Sequence, residues 1–168
     1  MSNPPIDQQR LNEFVRRLES LGARYTIKKA RPEALMVLVT TARERWEIEF
    51  MTLDWGRIEV ERYESLGPAD NAKVLPELWE RLGLPSTPDD SHERINDFLN
   101  TLDRANVHYE VINSGTRGLT VRLYAPGQYW EVSFSAESQL AIERFESSGE
   151  ISDESSLETL WDLLNEEQ

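Results

Sequence analysis

The sequence predicts an α+β protein made by tandem duplication of one α-β-β-β-β-α unit, each copy an antiparallel meander sheet with two helices on one face. Three observations lead there: an internal repeat, apolar stripes at helical spacing at both ends of each copy, and strict apolar alternation between them.

The repeat comes first because it sets the boundaries. Placing Trp46 on Trp130 also places Arg10 on Arg94, Phe14 on Phe98, Leu18 on Leu102, Tyr25 on Tyr109, Val37 on Val121 and Phe50 on Phe134, all at a spacing of 84. Beyond the next turn the spacing is 82, pairing Glu61-Arg62-Tyr63-Glu64-Ser65 with Glu143-Arg144-Phe145-Glu146-Ser147, Gly67 with Gly149 and Trp79 with Trp161. The two missing residues fall between predicted strands, where a change in loop length costs little. The predicted domains are residues 1–84 and 91–168, joined by a Pro-rich linker at 85–90.

Each copy opens with a helix. Leu11, Phe14, Val15 and Leu18, and then Ile95, Phe98, Leu99 and Leu102, recur at the spacing of one buried stripe. Asp90 with Glu93 has the form of a capping box, and Gly22 and Asn106 suit a left-handed helix end. Four strands follow. Apolar residues alternate at Tyr25 and Ile27; Leu35, Val37 and Val39; Trp46, Ile48 and Phe50; and Ile58 and Val60. The second copy repeats this at Tyr109 and Val111; Leu119, Val121 and Leu123; Trp130, Val132 and Phe134; and Leu140 and Ile142. A closing helix carries Leu75, Leu78, Trp79 and Leu82, matched by Leu157, Leu160, Trp161 and Leu164. Pro76 belongs in its first turn, where a missing N–H does no harm. Ser155 with Glu158 offers a capping box to the second closing helix.

Composition narrows the chemistry. Apolar residues make up 39% of the chain, enough for a core. No apolar run approaches a membrane span and the start lacks the layout of a secretory signal, so a cytoplasmic location is expected. With no cysteine and two histidines, disulfides, thiolate chemistry and a His-rich metal site are set aside. The net charge of −13 argues against nucleic acid as a partner. Divided after Leu84, the first half has 13 basic and 14 acidic residues and the second 5 and 17, so the charges are −1 and −12. The expectation is one scaffold differentiated into an acidic copy that faces a partner and a near-neutral copy that supports it.

Four candidate surfaces follow, each with a plainer explanation. If Trp46, Ile48 and Phe50 face the core, Glu47 and Glu49 face the other way, joined by Glu59 and Glu61; Glu131 and Glu143 are their acidic equivalents. Neighbouring carboxylates can exchange protons or hold a cation, but a solvated face with Arg43, Arg45, Arg57 or Arg62 as cross-strand partners is the favoured reading. The segment Glu-Arg-aromatic-Glu-Ser-x-Gly occurs in both copies. A structural cause is favoured, with a β-bulge or strand end bringing Tyr63 and Phe145 into phase and Ser and Gly serving a turn. Trp55, on a hairpin tip, is a contact candidate for the sister copy or an outside partner. Tyr124 and Tyr129 flank the Ala125-Pro126-Gly127 turn and invite the same question. Last, Glu154, Glu158 and Asp162 in the acidic second copy can steer a basic protein, with solubility as the plain alternative. No nucleophile with an adjacent base, Gly-rich phosphate loop or metal spacing appears, so no enzyme activity and no cofactor are expected.

The strand pair Trp46-Glu47-Ile48-Glu49-Phe50 and Ile58 to Ser65, repeated as Trp130-Glu131-Val132-Ser133-Phe134 and Ile142 to Ile151, resembles small acidic bacterial proteins grouped with the immunity proteins of polymorphic toxin and contact-dependent inhibition systems. The resemblance implies a cytoplasmic inhibitor that binds and neutralises a cognate, basic toxin. The chain is also similar to type III secretion chaperones, which are small, acidic and α+β with a meander sheet but differ in helix order; that likeness implies an adaptor for a client protein.

Overall fold

The computed structural model of the chain describes residues 6–31, 34–51, 57–84, 94–113, 115, 118–135 and 140–167. Among them are, in order, α1 (Ile6–Ser20), β1 (Arg24–Arg31), β2 (Ala34–Thr40), β3 (Glu44–Met51), β4 (Ile58–Ser65), α2 (Leu75–Arg81), α3 (Ile95–Arg104), β5 (Tyr109–Asn113), β6 (Leu119–Ala125), β7 (Gln128–Phe134), β8 (Leu140–Ser152) and α4 (Leu157–Glu166). The linker at 85–90, the Asp90–Glu93 pair and the Trp55 turn lie outside the described residues.

Local chemistry accounts for the element ends. Gly22 and Asn106 both take left-handed backbone, at φ 65° and 56°. Beyond each, an N–H returns to the last turn, Ala23 to the Leu18 carbonyl at 3.0 Å and Val107 to the Leu102 carbonyl at 2.9 Å, satisfying carbonyls a helix end leaves open. The start of α4 differs from expectation. Ser155 does not cap it; Asp153 does the capping, accepting the Ser155 N–H at 2.9 Å and its hydroxyl at 2.6 Å at the head of a short 3-10 turn that leads into the helix. Those two bonds hold the Asp153 carboxyl below the usual carboxylate range.

The predicted fold class requires correction. The strands lie in the order β1-β2-β3-β4-β8-β7-β6-β5 in one eight-stranded sheet, in place of two separate meanders. The chain divides into two compact units, and neither is a sequence repeat: unit 1 is Met1–Glu64 with Ser147–Gln168, and unit 2 is Ser65–Glu146. The closing helices are exchanged between the copies.

In unit 1 the core joins Leu11, Phe14 and Leu18 of α1, Val37 and Val39 of β2, Trp46, Ile48 and Phe50 of β3 and Val60 of β4 to Leu157, Leu160, Trp161 and Leu164 of α4. In unit 2 the core joins Leu75, Leu78 and Trp79 of α2 and Phe98 and Leu102 of α3 to Val121, Leu123, Trp130, Val132 and Ile142. The segment that leads to α2 is also held in unit 2. Asp70 exchanges both backbone bonds with Ile142 of β8 at 2.7 Å, and Leu66 donates to the Arg144 carbonyl at 2.9 Å.

Charge pairing gives a physical reason for the exchange. Arg62 in unit 1 lies over the Trp46 ring and is ion-paired with Glu44. Its equivalent in unit 2, Arg144, lies over the Trp130 ring, where a neutral Gln128 replaces Glu44; its acids are Glu77 of α2 and Asp70, the latter at 3.0 Å. Without exchange, Arg62 would face Glu44, Asp70 and Glu77 together. Arg144 would then face Gln128 and the equivalents of Asp70 and Glu77, which are Ser152 and Thr159. A half-buried guanidinium without an acid is costly, and so is a crowd of carboxylates around one cation. The exchanged arrangement supplies each arginine with acid.

The exchange also cancels the charge asymmetry. Unit 1 holds 11 basic and 18 acidic residues and unit 2 holds 7 and 13, so they carry −7 and −6. The acidic tail of the second copy belongs to the unit built on the first. The picture of one acidic and one near-neutral body is therefore wrong.

Candidate functional site

The sheet-face carboxylates do not form the solvated surface expected of them. In β2 and β3 both faces are covered: Met36, Leu38, Arg45 and Glu47, opposite the helices, are all buried, and Glu47 keeps 9% of its surface. The register sets Glu47 against Glu61 and Glu49 against Glu59 across β3 and β4, and Glu131 against Glu143 across β7 and β8. Like charges on a shared rung repel, so their hydrogen-bond partners matter. Glu61 accepts from the Ser147 hydroxyl at 2.9 Å and is bonded to the Tyr63 hydroxyl. Glu131 accepts from the Tyr129 hydroxyl at 2.9 Å and lies 4.0 Å from Arg122. Arg57 pairs with Glu59 at 2.7 Å, whereas Arg62 serves Glu44 and Glu64 on the helix-covered face. Among the described residues no group of three His, Cys, Asp or Glu side chains is placed to hold a metal ion.

Burial on both faces also explains the shared Glu-Arg-aromatic segment. No bulge brings Tyr63 into phase, because β3 and β4 pair without interruption from Glu44↔Glu64 to Phe50↔Ile58. Tyr63 and Phe145 stay on the face opposite the helices and are buried there. Burial first, then the charges of Glu47 and Glu61 and the bond to Glu61, raise the Tyr63 hydroxyl well above the ordinary tyrosine value. In unit 2 the same face carries an aromatic row, Tyr124 to Tyr129 at 5.1 Å and Tyr129 to Phe145 at 5.7 Å, which removes Tyr129 from the list of exposed contacts. Arg62 and Arg144 serve the tryptophans, and Ser65 and Ser147 accept the Gly67 and Gly149 N–H at 3.2 and 3.1 Å. Packing and turn contacts account for the arginine, aromatic, serine and glycine positions of this segment.

The remaining candidates come together in unit 1. Glu154, Glu158 and Asp162 are exposed, and with Glu166 they recur every four residues along α4 and the turn before it. Glu154 is ion-paired with Arg10 of α1; Glu158, Asp162 and Glu166 have no ion pair among the described residues. Between α1 and α4 lies a cleft of about 380 Å³ lined by Arg10, Glu13, Arg17, Glu154 and Glu158 over Phe14, Phe50, Ile58 and Trp161. The Arg17 guanidinium lies 4.2 Å from the centre of the Trp161 ring. A second hollow, lined by Arg57, Ile58, Asp153, Glu154 and Ser155, adjoins it, sharing Ile58 and Glu154. Charge along the chain marks Glu154 and Glu158, but Arg10 and Arg17 join them only because α4 packs in unit 1 with α1. In the sequence Arg10 stands out only through its alignment with Arg94 in the repeat.

Comparison with family models, with curated proteins and with solved structures returns no match for this chain.

Proposed function

We propose that this protein is a cytoplasmic protein-binding module of the immunity type, which receives a basic toxin on the outer side of α4 in unit 1 and neutralises it. The observation that supports this reading is the acidic ladder. Glu158 with Asp162 and Asp162 with Glu166 are like charges at i,i+4, and each such pair costs a helix about 0.2–0.5 kcal/mol. Glu166 adds negative charge at the helix end where the backbone dipole is already negative. The fold does not demand the whole ladder, since of the matching positions around α2, Pro76, Glu80 and Leu84, only Glu80 is acidic. A ladder kept against its own helix is suited to a cation from outside. Three-quarters of it is unpaired among the described residues, so a basic partner need not first displace an internal cation.

The test is co-expression with the products of adjacent genes. A basic neighbour should co-purify and its toxicity should be relieved. The double variant Asp162→Lys/Glu166→Lys should slow association about tenfold at low salt and flatten its salt dependence. Co-purification with a secreted client in place of a toxin would favour the adaptor reading. Absence of both a co-purifying neighbour and any relief of toxicity ends the proposal.

No helix among the described residues is long and apolar enough to cross a membrane.

A further inference from the structure

The aromatic floor of the cleft in unit 1 has a counterpart in unit 2, and the residues around the two differ in an informative way. Both units have the same aromatic floor. In unit 1, Phe14 lies 5.4 Å from Phe50 and 5.1 Å from Trp161; in unit 2, Phe98 lies 5.5 Å from both Phe134 and Trp79. The walls are shared only in part, Arg10 and Glu13 matching Arg94 and Asp97. At the positions of Arg17, Glu154 and Glu158, unit 2 has Thr101, Ala72 and Pro76. A floor present in both units is what covering a sheet with two helices requires; the added charges of Arg17, Glu154 and Glu158 are not.

The chemistry of those walls selects a guest. Glu13 and Glu158 line the cleft without an ion pair among the described residues, Glu13 having only a 3.4 Å bond from Gln9. The Trp161 face below them is already used by a guanidinium, that of Arg17, which is exposed and has no acid partner among the described residues. An indole face with free carboxylates beside it is the setting in which arginine is bound best, through cation–π contact and charge-assisted hydrogen bonds. We infer that the cleft is a docking site for an arginine side chain of a basic partner protein, laid over Trp161 in place of Arg17 with its charged end between Glu13 and Glu158. This rests on the protein-binding reading above and names the contact through which that binding becomes specific, the ladder along α4 supplying only attraction at a distance.

The experiment uses the full ¹⁵N-labelled chain and the capped tripeptide acetyl-Gly-Arg-Gly-amide, with acetyl-Gly-Gly-Gly-amide as control, followed by NMR. The Trp161 indole N–H and the Glu158 amide should shift saturably with the arginine peptide and not with the control. The surface variant Glu13→Gln/Glu158→Gln should weaken binding about tenfold, while Asp162→Lys/Glu166→Lys should leave the Trp161 shift in place. Shifts spread over all acidic residues with none at Trp161, or binding unchanged in Glu13→Gln/Glu158→Gln, overturn the inference. The two proposals fail separately. A protein partner that binds Glu13→Gln/Glu158→Gln normally but not Asp162→Lys/Glu166→Lys removes the arginine site and keeps the function. Peptide binding at Trp161 with no toxin or client found among adjacent gene products does the reverse.

Discussion

Leu160→Ala and Leu78→Ala form a reciprocal pair that tests the helix exchange directly. Both side chains have no exposed surface and lie at matching positions in their helices, Leu160 in the core of unit 1 and Leu78 in that of unit 2. Truncating a fully buried leucine removes its transfer free energy and leaves a cavity, together about 2–5 kcal/mol. Every 1.4 kcal/mol is about a tenfold change in an opening equilibrium, so amides that exchange through opening of the affected unit should exchange roughly 30-fold to several thousand-fold faster. The assay is native-state hydrogen exchange resolved by strand. Leu160→Ala, in the second sequence copy, should accelerate exchange in β2, β3 and α1 most; Leu78→Ala, in the first copy, should do so in β6, β7 and α3. If each substitution instead loosens the strands of its own sequence copy more than the other's, the exchange is wrong. Equal acceleration throughout would equally refute the assignment of each helix to one unit.

Three further outcomes are expected. Arg144→Met removes the partner of Asp70 and Glu77 while keeping the apolar stem over Trp130, and should cost about 1–3 kcal/mol in urea denaturation; an unchanged midpoint would show that these pairs do not hold α2. Gly118→Ala should destabilise by about 2 kcal/mol or more, because Gly118 has φ +81° and a Cβ there would overlap the Phe134 carbonyl oxygen; wild-type stability would refute this. Tyr63→Phe tests the pH response. The raised folded-state value means that above about pH 10 an unfolded chain releases a proton that the folded chain keeps, so stability falls as pH rises past that point. The variant should be about 1 kcal/mol less stable at neutral pH through the lost bond to Glu61, with the gap closing above pH 10. Parallel pH profiles for the two proteins would count against the assignment.

Periodicity in the sequence located most of the elements. Leu11, Phe14 and Leu18 can form one buried stripe only in a helix, and Trp46, Ile48 and Phe50 can share one face only in a strand; the left-handed ends at Gly22 and Asn106 were equally legible, since few residues tolerate that backbone. The part of the candidate site on α4, Glu154, Glu158 and Asp162, was visible as charge. What sequence could not decide was which surface each stripe meets. The closing helices carry the same Leu-Leu-Trp-Leu stripe, so either fits the strands of either unit as far as hydrophobic burial is concerned, and burial is non-directional. Only the tertiary structure makes that choice, through directional contacts between residues distant in sequence: Arg144 with Asp70 and Glu77, and Asp70 against Ile142. The same limit hid the second buried face of the sheet, where alternating charge at Arg45, Glu47 and Glu49 reads as solvated until the surroundings are known. It also hid the cleft, whose two walls come from opposite ends of the chain.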